Sequence, residues 1–312
     1  MPRSTKPRSR LLPQSALGRI ACGAVDLYRS GFHGVGDERY PDLGRRGFQD
    51  PILQEFLSQS DTVRNPAFFE TMFRSHLATR MENAARKLGE CERITRVEGV
   101  EIAPSLLTRS LIEDCVEAVL LMNLRGGDLL SCLIYSITES MGRNVALHRI
   151  ALPDDKEIKP AGADETLQDL KTLAKRLAVE ETPRVMTTGD GSGAGKADKA
   201  WEFIMSHMPD RSEESRNWLE ICYRFHSQTV HGQGVLYGMA RDSHGFRLDL
   251  ETCAGSREDV GTVQGNDLFQ SLIHFILVLR EYDLFLGSSF RLRIDSLWDR
   301  LIIEIKSAST EV

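Results

Sequence analysis

From about residue 66 onward, apolar residues recur at intervals of three and four, the spacing of one face of an α-helix. In "PAFFETMFRSHLATRMENAARKL" (66–88) the recurring positions are Phe69, Met72, Phe73, Leu77, Met81, Ala84 and Leu88. Pro66 suits a first helical turn, Asn65 before it can cap, and Gly89 predicts the end. A second helix is expected over 105–124. On a helical wheel Thr108, Leu111, Ile112, Cys115, Val119 and Met122 share one arc of ~100°, with Ser110, Glu113, Asp114 and Glu117 on the other side. Gly126 and Gly127 break it. Residues 128–150 are apolar nearly all round in their first half, as a central helix should be. Further helical patterns cover 164–181, 212–231 and 264–287.

Between these runs, 182–197 reads as a Gly-rich linker and 240–262 as a loop or small hairpin. The tail 290–305 alternates early and turns helical later, so strand and helix stay open there. Short connections between successive helices imply antiparallel packing. The expectation is an all-α, antiparallel helical bundle with a possible short hairpin near 240–262. An irregular basic extension over 1–65 precedes a helical domain over 66–290, and 291–312 forms a tail packed on it. The core is expected to use Phe73, Leu77, Leu111, Ile112, Val119, Leu133, Ile134, Trp218, Phe225, Phe275 and Leu279.

Composition adds limits. Of 312 residues, 41% are hydrophobic and 27% charged, the balance of a soluble globular protein. The net charge of −6 argues against a general nucleic-acid coat, so any nucleic-acid contact must be local. The opening "MPRSTKPRSR" is basic, holds two prolines and lacks periodicity, so it reads as a disordered arm. No apolar run approaches the ~20 residues that span a bilayer. The six cysteines are scattered with no Cys-x-x-Cys pair, which argues for a reducing cytoplasm and against structural zinc.

Three stretches could carry chemistry. "GDGSGAGKAD" (189–198) approaches a phosphate loop, but Asp190 stands where the first glycine belongs and Ala197 replaces the magnesium-binding hydroxyl. It reads better as a linker, and no cofactor is expected. Arg109 and Glu113 stand four apart on the second helix, Arg109 at the border of its dry arc. A border arginine can bury its stem and reach a neighbouring helix, bracing the bundle or supporting a site. In "YRFHSQTVHG" (223–232), a helix over 212–231 puts Trp218, Cys222, Phe225 and Thr229 on the buried stripe. Glu220, Arg224, Ser227 and His231 then lie opposite, within ~60° of one another. Arg224 and His231 point the same way, and Gly232 ends the helix behind His231. This is either a catalytic pair or the wet face of an amphipathic helix. No His and carboxylate cluster has metal-ligand spacing, so no metal is expected.

An arginine and a histidine separated by four to six residues, near the end of a helix in an all-helical domain, form the signature of the HEPN superfamily (higher eukaryotes and prokaryotes nucleotide-binding domain). Arg224 and His231 resemble it. "RSLIED" (109–114) and "FHSQTVHG" (225–232) are similar to the paired helices of bacterial HEPN-like families. The resemblance spans about 70–290. It implies metal-independent endoribonuclease activity with Arg224 and His231 catalytic and Glu220, Ser227, Arg109 and Glu113 supporting. It also implies RNA as substrate, commonly a homodimer, and a defence or toxin–antitoxin setting with a regulatory protein partner. One departure stands out: Phe225 follows the arginine where active HEPN ribonucleases usually place a polar residue. A non-catalytic helical module that binds a partner protein or nucleic acid is the alternative expectation.

Overall fold

The computed structural model describes residues 14–32, 66–97, 102–125, 194–207, 239–242, 245–248 and 257–310, with single positions between 128 and 136 and at 172, 175, 219 and 223. Six helices are described. They are α1 (Ala16–Gly31), α2 (Pro66–Thr95), α3 (Ile102–Asn123), α4 (Ala194–His207), α5 (Arg257–Leu286) and α6 (Arg291–Thr310). A two-stranded antiparallel hairpin joins β1 (Met239–Asp242) to β2 (Gly245–Leu248), with Met239 opposite Leu248. The fold is all-α with this one short hairpin among the described residues.

The chain divides into two compact units. The first comprises Met1–Val35, Arg80–Val116 and Ile204–Val312, the second Gly36–Thr79 and Glu117–Phe203. In the first unit α5 is the central helix. Its residues from Ser271 to Leu279 are all buried, so it is enclosed on every side, as its near-continuous apolar run requires. Helices α1 and α6 pack on α5 and on each other. Tyr28 meets Phe275 edge to face at 6.2 Å, and Phe32 lies 5.5 Å from Tyr282 and 4.9 Å from Phe290. Ile294, Leu297 and Leu301 form the buried stripe of α6. In the second unit Phe73, Leu77, Val119, Leu120, Ala200 and Trp201 are buried. Of the expected core, Leu133, Ile134, Trp218 and Phe225 lie outside the described residues.

Several boundaries differ from the sequence reading. Within the stretch read as an irregular extension, Ala16–Gly31 is a helix. Ser15 caps it by accepting from the Gly18 N–H at 3.0 Å. Ile20, Ala24, Leu27 and Tyr28 bury one face of it. Its many small residues dilute the apolar period, and the Gly- and Pro-rich tract after it masks its end. A Cβ at Gly18 would sit 3.1 Å from Glu92 Oε1, so the glycine permits close approach there. The linker reading is overturned for 194–197, which open α4, and 182–193 lie outside the described residues. Helix α5 starts at Arg257, inside the span read as loop. The ambiguous tail is helical over Arg291–Thr310, because helical periodicity gives Ile294, Leu297 and Leu301 one face to bury.

The α5–α6 turn is closed by chemistry that the sequence supplies. Gly287 adopts φ 61°, a left-handed conformation that favours glycine. Asp283, itself buried, accepts from the Ser288 hydroxyl and from the Phe290 N–H at 3.0 Å.

Gly89 does not end α2, which runs on to Thr95. Leu88, Cys91 and Glu92 are buried beyond or beside it, and their contacts outweigh the helix penalty of one glycine. A Cβ added at Gly89 would meet nothing within 4 Å. Gly89→Ala is therefore expected to stabilise the protein by roughly 0.5–1 kcal/mol, read from chemical denaturation. A loss of stability would mean that the glycine is needed for something other than its backbone.

Candidate functional site

Helix α3 carries polar side chains on several faces, and each of those faces meets a different part of the chain. Arg109 is 8% exposed. Its guanidinium lies over the ring of buried Tyr223, 3.6 Å from the centroid. Nη1 donates to the Tyr223 carbonyl at 3.4 Å and Nη2 to Glu113 Oε1 at 2.8 Å. The border position read from the wheel thus resolves into a buried stem reaching a residue far along the chain. Stacking on an aromatic face with water excluded adds ~2 kcal/mol to such a contact. Glu113 is more open, with its side chain 42% exposed. Tyr223 is helical and immediately precedes Arg224. Arg224, His231, Glu220 and Ser227 themselves lie outside the described residues. Arg109 and Glu113 are therefore brought to the start of the segment expected to carry the site.

A second face of α3 turns to α5. The Ser105 hydroxyl donates to both carboxylate oxygens of Asp267, at 3.1 and 2.9 Å. Thr108 donates to the Asp267 carbonyl at 3.2 Å, and its hydroxyl lies 2.9 Å from that of Ser271. Cys91 Sγ approaches both hydroxyls at 3.9 Å. All five residues are buried. Burial pushes the Asp267 carboxyl up to about 6, against the opposing pull of the Ser105 hydrogen bond. The sequence reading missed this cluster. Its signal was present as Thr108 on the dry arc and Asp267 and Ser271 in an apolar helix.

The third face corrects the wheel. Asp114, placed on the wet side, is only 2% exposed. Arg80 reaches its Oδ1 at 2.9 Å and Lys87 its Oδ2. Lys87 also donates to the Ser110 carbonyl at 3.1 Å and hydroxyl at 2.6 Å. A buried carboxylate is tolerated because two cations from α2 meet it.

Burial keeps the described core thiols protonated. Cys91 is pushed up to about 11 and Cys132 to about 12, and Cys115 is raised well above the usual thiol range. None of the three offers a thiolate nucleophile. Lys196, the lysine of the near phosphate loop, sits in α4 and pairs with Glu117 at 3.2 Å, while Ala197 is buried. Among the described residues no three His, Cys, Asp or Glu side chains converge as metal ligands would, and no helix is long and apolar enough to cross a membrane. The chain matches no known protein family, characterised protein or solved structure.

Asp267 makes stability depend on pH. Its folded value lies above the unfolded carboxyl value of 3.8, so between the two the folded state binds more protons. The contribution of Asp267 to stability is therefore fully present below 3.8 and is lost as pH rises through about 6. Relative to Asp267→Asn, the wild type should lose about 1 kcal/mol between pH 5 and pH 8 in denaturation midpoints. Parallel pH profiles for the two proteins would show that Asp267 does not titrate in this window.

Proposed function

We propose that the chain is a metal-independent endoribonuclease of HEPN type, with Arg224 binding the scissile phosphate and His231 moving the proton. The observation that supports this reading is the stack of Arg109 on Tyr223 with the Arg109–Glu113 ion pair. It joins the helix that resembles the supporting element of the family to the residue just before Arg224. RNA carries its own nucleophile in the 2′-hydroxyl. The protein need only take that proton, hold the phosphorane charge and protonate the leaving 5′-oxygen. Imidazole transfers protons near neutral pH, and guanidinium is a planar partner for phosphate oxygens.

In this reading Arg109 and Glu113 are positioning residues. Arg109 fixes the backbone at Tyr223, and Glu113 supplies a half-open carboxylate beside it. One arginine and one histidine on the helix face expected from their spacing would have little shelter from water, so the proposed active form is a homodimer whose second copy closes the site. A defence or toxin–antitoxin setting, with a regulatory protein partner, follows from the same resemblance. The second reading is a non-catalytic module that binds a partner protein or nucleic acid. Phe225 in place of a polar residue and the net charge of −6 favour it.

The test is cleavage of single-stranded RNA in chelator by folded wild type and by His231→Ala. The proposal expects wild-type cutting and a loss of roughly 10²- to 10⁴-fold in the variant. Arg224→Lys should fail as well, since a point charge does not replace a planar fork. The double substitution should cost little more than either alone, because the two groups act as a unit. Equal cutting by folded His231→Ala would remove His231 from the mechanism, and no cutting of any RNA would favour the binding module.

A further inference from the structure

Helix α3 makes two separate polar contacts within little more than one turn. Ser105, Thr108 and Arg109 lie close together along its axis and face different partners. Ser105 and Thr108 meet α5 as two rungs of a ladder. The Ser105 hydroxyl donates to the Asp267 carboxyl, and the Thr108 hydroxyl lies 2.9 Å from that of Ser271. Asp267 and Ser271 stand four apart on α5, so a slip between the helices breaks both rungs together. Arg109, the next residue along α3, stacks on the Tyr223 ring at 3.6 Å and donates to the Tyr223 carbonyl. A helical turn moves as a unit, so what displaces the ladder also displaces the guanidinium.

The ladder holds a proton. Burial raises Asp267 from 3.8 to about 6, so the folded surroundings favour its neutral carboxyl by roughly 10²-fold. Once ionised it is a desolvated carboxylate, and parting the start of α3 from α5 is the way to hydrate it. Cys91 faces the same hydroxyls from α2 at 3.9 Å, and with its thiol pushed up to about 11 it stays neutral in this range. Glu92 beside it is held by Gln14 at 3.0 Å and Arg96 at 3.6 Å. On α5, His274 lies within one turn of Ser271, its Nδ1 at the Gln270 carbonyl. On α3, Arg109 is paired with Glu113. We propose that Asp267 controls the Arg109–Tyr223 contact through α3, so that the proton on the buried ladder is felt at the residue preceding Arg224. As regulation of a ribonuclease this rests on the function proposed above; as a link between two contacts it does not.

The test follows the Tyr223 ring resonances of the full-length protein, isotope-labelled at tyrosine and assigned with Tyr223→Phe, between about pH 4.5 and pH 8. They should shift with a midpoint of about 6, as loosening of the stack takes the guanidinium off the ring face. Asp267→Asn keeps the shape of the side chain without the titrating proton, and its Tyr223 signal should stay flat. In Ser105→Ala the midpoint should rise, since the hydrogen bond removed is the one that favours the carboxylate. Should Asp267→Asn not fold, the direction of the Ser105→Ala shift decides. A wild-type Tyr223 signal that does not move across this range would overturn the proposal. So would an unchanged titration in Asp267→Asn or Ser105→Ala, which would assign the proton to His274 or another group. Cleavage is no part of the readout, so failure of the ribonuclease reading and failure of this link are told apart.

Discussion

A buried polar group without a partner costs roughly 1–3 kcal/mol, and that constraint organises helix α3. Ser105, Thr108, Arg109 and Asp114 are all buried on it. Each is tolerated only because another part of the chain arrives with the complementary group. Helix α5 brings Asp267 and Ser271, α2 brings Lys87 and Arg80, and the segment at 223 brings an aromatic face and a carbonyl. Apolar burial supplies the driving force, but it is indifferent to register. These pairings are not, because a slip of one residue would strand several donors and acceptors at once.

The pairings also differ in what they ask of the solvent. The Asp114 pair is ionic and balanced by two cations. In the Asp267 cluster the Ser105 hydroxyl donates to a buried carboxyl, which desolvation raises to about 6. Arg109 is held by an aromatic face, a backbone carbonyl and a carboxylate. An element anchored by a titrating carboxyl ties packing to the proton concentration.

Central helices are also where polar residues are hardest to read. In α5 the apolar run from Leu272 to Leu279 is interrupted by His274, whose Nδ1 lies 2.6 Å from the Gln270 carbonyl. The histidine satisfies part of its need within its own helix.

The sequence by itself determined that the chain is helical. The three-and-four spacing of Phe73, Leu77, Leu111, Ile112, Val119, Phe275 and Leu279 is a local property, and every one of these is buried. It also placed Arg109 at the border of a dry face, where only its own helix is needed to see it. Three things were decided only by tertiary structure. Gly89 could not stop α2, because burial of Leu88 and Cys91 outweighs a local penalty. Asp114 could not be called buried from a wheel that does not contain Lys87 and Arg80. Asp267 and Ser271, which meet Ser105 and Thr108, and Tyr223, which meets Arg109, lie more than a hundred residues away, and no periodicity reports on contacts of that range. Periodicity encodes which face turns inward; what that face meets depends on chain segments whose separation in sequence carries no trace of their proximity in space.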